Sequence, residues 1–352
     1  MGSRKGGTVM KAFVLKGIRD LGRDESPLEL IDMPDPAPGE KEVLLKVKAC
    51  GVCHTELDEI EGRTPPPVYP VIPGHQVVGE VIGLGPGVTR FRGGERVGVG
   101  WIFSSCRKCP FCREGRENLC SSFRATGRDA HGGYAPFMVV HEEFAHPIPD
   151  MFSDAQAAPL LCAGAIGYRS LRLAGLKDSQ NLGLTGFGAS AHLVLMIVRQ
   201  RFPGVRTFVF ARSPQEREFA LSLGAVWAGD TGERSPERLH AIIDTTPVWR
   251  PVIEALSNLE AGGRLVINAI RKEDIDKAEF LKLDYPEHLW MEKEIKSVAN
   301  VGRADISEFL TLASEIPIRP EVQEYPLKDA NRALLELKRR MIKGAKVLVM
   351  EE

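Results

Sequence analysis

The chain has 352 residues, 43% of them hydrophobic, and a formal net charge of −1. That length points to two domains, since single cores stop growing near ~250–300 residues. The near-neutral charge gives no general pull toward nucleic acid or an anionic membrane, and no apolar run approaches the ~20 residues of a membrane-spanning helix.

Residues 1–9 are basic and glycine-rich, lack the apolar stretch of a secretory signal, and read as a mobile leader. Strands are expected over residues 11–15, 43–49, 76–82 and 134–140. These are short apolar or partly alternating runs, punctuated by Thr64-Pro65-Pro66-Pro67 and Gly83-Leu84-Gly85-Pro86-Gly87. Such texture implies a compact, barrel-like β domain. From about residue 163 strands and helices alternate. Strands at 182–185, 207–210, 240–244 and 264–267, with helices at 189–201 and 214–223, form the pattern of a doubly wound parallel sheet. A helix over 330–338 and a strand over 346–350 follow.

Four cysteines stand at Cys106, Cys109, Cys112 and Cys120, spaced C-x2-C-x2-C-x7-C. Four thiolates this close complete a tetrahedral zinc shell with no open position, so the ion would be structural. An iron–sulfur cluster is the rival, but the fourth cysteine is distant and is followed by Ser121 rather than proline. Cys53 and Cys162 lie outside this cluster, with His75 between them; spacing alone does not bring the three together. Cys50 reads as a small buried residue. Seven cysteines, six of them assignable to metal, argue for a reducing cytoplasm rather than a disulfide framework.

Gly186-Phe187-Gly188-Ala189-Ser190-Ala191 follows an expected strand and opens an expected helix as G-x-G-x-x-A. Gly186 allows the tight turn, Gly188 lets a pyrophosphate approach the helix end, and Ala191 packs the helix on the strand. The run from Gly83 to Gly87 has the glycines but no following helix. NAD sites place an acid at the end of the second strand; here Ala211-Arg212-Ser213 stands there. Arg212 offers a bidentate cation and Ser213 a hydroxyl for a 2′-phosphate, so NADP(H) is expected over NAD(H), with Glu216 tempering the field.

Gly51-Val52-Cys53-His54-Thr55, Gly74-His75, the four-cysteine run, Leu161-Cys162-Ala163-Gly164 and the glycine turn occur in this order. Together they resemble the zinc-dependent medium-chain alcohol dehydrogenases from Met10 onward. The resemblance implies an α/β architecture: a GroES-like, β-rich catalytic domain of residues 1–163 and 299–352, and an inserted Rossmann domain of residues 164–298. It implies two zinc ions per chain, the catalytic one on Cys53, His75 and Cys162. Thr55 would bind the substrate oxygen and pass its proton outward, His54 would touch the cofactor pyrophosphate, Glu56 would orient His75, and Trp101 would line the substrate pocket.

Three positions depart from the family pattern. Asp58 stands where a histidine often ends the proton relay; it would accept a proton through water. Gln76 replaces a glutamate that often follows the ligand histidine. Gly344 precedes Ala345 rather than an arginine that often touches the cofactor. His131, His141, His146, His192, His240 and His288 are assigned to structure or surface. The expected activity is hydride transfer between a primary alcohol or aldehyde and a nicotinamide cofactor, in a cytoplasmic dimer or tetramer. A polyol or formaldehyde dehydrogenase, or a non-catalytic nucleotide-binding paralogue, is the alternative.

Overall fold

Val43, Leu45 and Val47 alternate with less buried neighbours along the strand Glu42–Val52, which turns one face to the core. From Ala49 to Val52 the alternation stops and every residue is buried. The helices Asp154–Ala157 and Ala330–Lys338 pack on this strand, and a strand covered on both faces needs no polar alternation. It lies within a seven-stranded sheet ordered Val322–Pro326, Ala345–Val349, Glu42–Val52, Val77–Leu84, Arg96–Val99 and Ala145–Pro147, with Phe137–His141 paired to its first half. The pair Val322–Pro326 and Ala345–Val349 is parallel; the other pairings are antiparallel. Val9–Val14 and Glu29–Pro34 form a separate antiparallel ribbon.

The computed structural model describes residues 9–316, 318–341 and 344–351. Residues 1–8 of the expected leader lie outside the described residues, and Val9 belongs to the first strand rather than the leader. Tyr134, expected to open a strand, instead sits in a bend. Its N–H donates to Pro73 and its carbonyl accepts from Phe13, and the strand begins at Phe137.

The second sheet has six parallel strands in the spatial order Trp227–Gly229, Arg206–Phe210, Asn181–Thr185, Leu239–Asp244, Leu259–Ile267 and Glu294–Ser297. By chain order these are the third, second, first, fourth, fifth and sixth. The sheet therefore grows one way, then the other, and the reversal falls between Asn181–Thr185 and Leu239–Asp244. Ligands of doubly wound sheets bind at the carboxyl ends beside such a reversal. The helix expected over residues 189–201 is found as Ala189–Arg201.

Two units separate by their internal contacts. One takes in the described residues through Cys162, Val301–Thr311 and those from Arg319 onward; the other is Ala163–Asn300 with Leu312–Ile318. No helix among the described residues is long and apolar enough to cross a membrane.

Candidate active site

The antiparallel register Cys50↔Val77 continues in a bond from the Gly51 N–H to the Gln76 carbonyl, 3.0 Å. Cys53 and His75 are thus delivered from the adjoining ends of two paired strands. Cys53 caps the seven-residue helix His54–Ile60, and its N–H donates to Glu56 Oε2 at 2.8 Å. The other oxygen, Glu56 Oε1, lies 2.6 Å from His75 Nδ1. One fully buried carboxylate therefore fixes both the helix start and the imidazole. As the carboxylate accepts, Nδ1 carries the proton and Nε2 is left for a ligand role.

His75 follows Gly74, whose φ is +96° and where a Cβ would lie 2.4 Å from the Tyr134 ring; only glycine fits. Cys162 ends the 3-10 turn Ala158–Leu161, which packs on the strands Glu42–Val52 and Val77–Leu84. His75 Nε2 and Cys162 Sγ are 3.2 Å apart. The ligand atoms of Cys53, His75 and Cys162 all lie within 4.8 Å of one another. Two thiols and an imidazole are the donor set of a zinc ion with one open position.

The electrostatics suit a cation. Burial alone pushes the His75 imidazolium down, but the Glu56 charge and bonds to Cys53 and Glu56 outweigh it and hold the pKa well above the usual range. A hydrogen bond from Cys162 holds the Cys53 thiol well below its usual value, and the same bond raises Cys162. Negative charge thus gathers on the sulfur of Cys53, where a divalent ion would lie.

The other expected residues fall as follows. Thr55 Oγ1 is 3.8 Å from Cys53 Sγ. His54 is exposed at the helix start. Asp58 is buried, and its carboxylate accepts from Arg63 Nε at 2.5 Å. Trp101 is part of the hydrophobic core, tilted on Phe123 with ring centroids 5.2 Å apart, and its Nε1 has no partner among the described residues. Cys50 is buried, and desolvation pushes its thiol well up.

Two buried polar groups escaped the sequence reading. Glu59, one turn beyond Glu56, has Oε1 without a partner among the described residues, and burial followed by the Glu56 charge pushes its pKa well up. The Tyr134 hydroxyl is likewise buried and unpartnered among them. The i, i+3 spacing of Glu56 and Glu59 would have pointed to one helix face, had a helix been expected here.

In the four-cysteine segment the ligand atoms of Cys106, Cys109, Cys112 and Cys120 also lie within 4.8 Å of one another. Cys109 caps the short helix Pro110–Arg113, and its N–H donates to Cys106 Sγ at 3.3 Å. The backbone N–H groups of Lys108 and Cys109 lower the Cys106 thiol to about 6. Four convergent thiols fit a closed zinc site. Arg303 moors the segment: its N–H donates to Glu117 Oε1 at 3.1 Å, and its Nη1 to Glu143 Oε2 at 2.9 Å.

In the parallel-sheet unit, Gly186 turns with φ +77°, and a Cβ there would lie 2.8 Å from Thr245 Oγ1. Gly188 caps the helix Ala189–Arg201 without a side-chain bond, and a Cβ there would meet nothing within 4 Å. The first N–H groups of a helix have no partner within it, and with no side-chain cap and open space beside Gly188 this end fits an anion such as a pyrophosphate. Ala191 is buried under the turn. Arg212 is exposed. Ser213 Oγ accepts from the Glu216 N–H at 3.4 Å as a helix cap and lies 2.8 Å from Gln215 Oε1. Arg217 Nη1 donates to the Ala211 and Arg212 carbonyls at 2.8 and 3.1 Å, a second cation at this loop.

Residues 39–150 match the alcohol dehydrogenase GroES-like domain. A Mycobacterium tuberculosis protein named "probable alcohol dehydrogenase" is 44% identical over 93% of this chain and 94% of its own length. The chain belongs to the medium-chain zinc alcohol dehydrogenase family. An alcohol dehydrogenase of Geobacillus stearothermophilus is 30% identical over 97% of this chain and 100% of its own. The structure of a cinnamyl alcohol dehydrogenase from Sorghum bicolor superposes with a TM-score of 0.82 and 26% identity, covering 98% of this chain and 100% of that one. Membership makes the chain an alcohol oxidoreductase that joins a GroES-like β-rich part to a Rossmann-like parallel sheet.

Proposed function

We propose that the protein moves a hydride between a primary alcohol or aldehyde and NADP(H), with a catalytic zinc ion on Cys53, His75 and Cys162 and a structural one on Cys106, Cys109, Cys112 and Cys120. The observation that carries this reading is the meeting of Cys53, His75 and Cys162 from three separated segments, with Glu56 aiming the imidazole. Zinc bound there supplies Lewis acidity toward an alcohol or carbonyl oxygen.

The chain's own residues do the rest. Thr55 holds the substrate oxygen and takes its proton outward as the carbon gives up hydride. Glu56 keeps His75 Nε2 pointed at the site. The helix end at Gly188 holds the pyrophosphate, and Arg212 pairs with the 2′-phosphate. Since Ser213 is engaged as a helix cap, Arg212 carries most of the cofactor discrimination. Trp101 limits the substrate side through its ring rather than by a polar contact. The catalytic part is residues 1–163 and 299–352 and the cofactor part residues 164–298. The protein acts on small molecules in the cytoplasm as a homo-oligomer, without nucleic acid or membrane; seven unpaired cysteines support a reducing compartment.

Metal analysis combined with steady-state assays tests the reading, using both cofactors against short, branched and aromatic alcohols and aldehydes. Two zinc ions per chain and faster turnover with NADP(H) are expected; absence of turnover with either cofactor overturns it. Arg212→Ala raises the NADP(H) KM about tenfold or more while leaving that for NAD(H) nearly unchanged. An unchanged NADP(H) KM removes the cofactor assignment.

A further inference from the structure

The helix His54–Ile60 presents Cys53 at its cap and carries Thr55 and Glu56. At seven residues it is too short to hold itself in water, so its axis is set by packing, with Leu57 and Ile60 in the core, and by what grips its ends. The first end is held by the Cys53–Glu56 bond. The other end meets a chain of charges. Asp58, 7% exposed, accepts from Arg63 Nε at 2.5 Å, and its carbonyl accepts from the Arg63 and Thr64 N–H groups at 2.8 and 3.1 Å. Arg63 Nη1 also donates to Glu61 Oε2. Glu61 in turn accepts from Lys338 Nζ with both oxygens, at 2.8 and 2.7 Å.

Lys338 ends the helix Ala330–Lys338, which packs directly on His54–Ile60. That second helix is tied to the sheet by the fully buried Lys346, whose Nζ lies 2.7 Å from Glu336 Oε2 and 2.6 Å from the Tyr325 hydroxyl. The path Asp58, Arg63, Glu61, Lys338 thus joins the back of the active-site helix to a rigid part of the unit. Burial disfavours the Glu61 carboxylate, but its bonds to Lys338 and Arg63 outweigh this and lower its pKa.

We propose that Arg63 and Lys338 are positioning residues for the dehydrogenase reaction: through Asp58 and Glu61 they fix the axis of His54–Ile60 and so the place of Thr55 Oγ1 beside Cys53 Sγ. Asp58 then anchors Arg63 instead of ending a proton relay. This rests on the dehydrogenase reading above, because it assigns Thr55 the substrate oxygen. A helix pivoting by about 1 Å is enough to cost a large factor in rate.

The test uses the full-length, zinc-loaded protein with Asp58→Asn, Arg63→Met, their double variant, Lys338→Met and Lys338→Arg. It reads kcat, cofactor KM, zinc content and amide hydrogen exchange over residues 54–63. Asp58→Asn, Arg63→Met and Lys338→Met are expected to lower kcat about tenfold and to speed exchange in the helix, with cofactor KM and zinc content unchanged. The double variant is expected to be no worse than the poorer single, since both remove one linkage. Lys338→Arg, which keeps the charge, restores both readouts. The inference is overturned if Asp58→Asn shifts the pH profile of kcat while Arg63→Met leaves kcat and exchange as in the parent, the signature of a relay. It is equally overturned if exchange is unchanged in all variants. Should the parent protein show no turnover at all, the dehydrogenase reading fails on its own, and faster exchange in the variants still establishes the anchoring.

Discussion

Gly186 and Gly188 stand two residues apart and owe their identity to different constraints. Gly186 has positive φ and a neighbour at 2.8 Å from any Cβ, so Gly186→Ala strains the turn and lowers stability by about 1–3 kcal/mol. Gly188 has open space around it, so Gly188→Ala leaves the fold intact but places a methyl where the pyrophosphate would approach. Its expected outcome is an unchanged melting temperature with a cofactor KM raised about tenfold; thermal denaturation and steady-state kinetics check the two together. Both glycines were legible in the sequence, because the G-x-G-x-x-A spacing encodes a local turn. Glu59 and Tyr134 were not: that Glu59 Oε1 and the Tyr134 hydroxyl have no partner among the described residues is a property of what surrounds them, which no spacing expresses.

The segment from Cys106 to Cys120 contains only a four-residue helix and a three-residue 3-10 turn. Elements this short supply no core of their own, so four sulfurs and the Arg303 mooring must hold the shape. Cys112→Ser is accordingly expected to remove one of the two proposed zinc ions and to lower stability by about 2 kcal/mol or more. For a unit of this size that is roughly 4–8 °C in Tm, readable by calorimetry beside metal analysis. The segment announced itself in the sequence through its cysteines. The helix His54–Ile60 did not, for a physical reason. Its last five residues, Glu56 to Ile60, are all buried and include three acids. Hydrophobic periodicity marks a helix with one wet face, and this helix has none at that end; Glu56 and Asp58 are accommodated by His75 and Arg63 instead.

Across the whole molecule, stability at acid pH depends on side chains joined from distant parts of the chain. His146 is buried, its Nδ1 3.0 Å from Ser307 Oγ, and burial, with help from the Arg90 and Arg303 charges, lowers its pKa from 6.5 to about 3. An unfolded chain takes up that proton near pH ~6.5 while the native one does not. The stabilisation is therefore complete above that pH and is lost progressively as pH falls toward 3. The melting temperature is expected to drop across this window, and His146→Gln to flatten the drop; melts at stepped pH measure both. The sequence by itself determined what is encoded by short spacing: the four-cysteine cluster, the glycine turn before the helix Ala189–Arg201, the alternation of strands and helices that makes a parallel sheet, and through ordered motifs the family. Only the tertiary structure decided which distant side chains meet. Cys53 and His75 adjoin because two strands pair in the register Cys50↔Val77, Cys162 arrives on a turn packed across them, and Asp58 faces Arg63 instead of standing open to water. Local conformation follows from neighbouring residues, whereas partners across the fold are chosen by sheet register and packing, which every part of the chain sets at once.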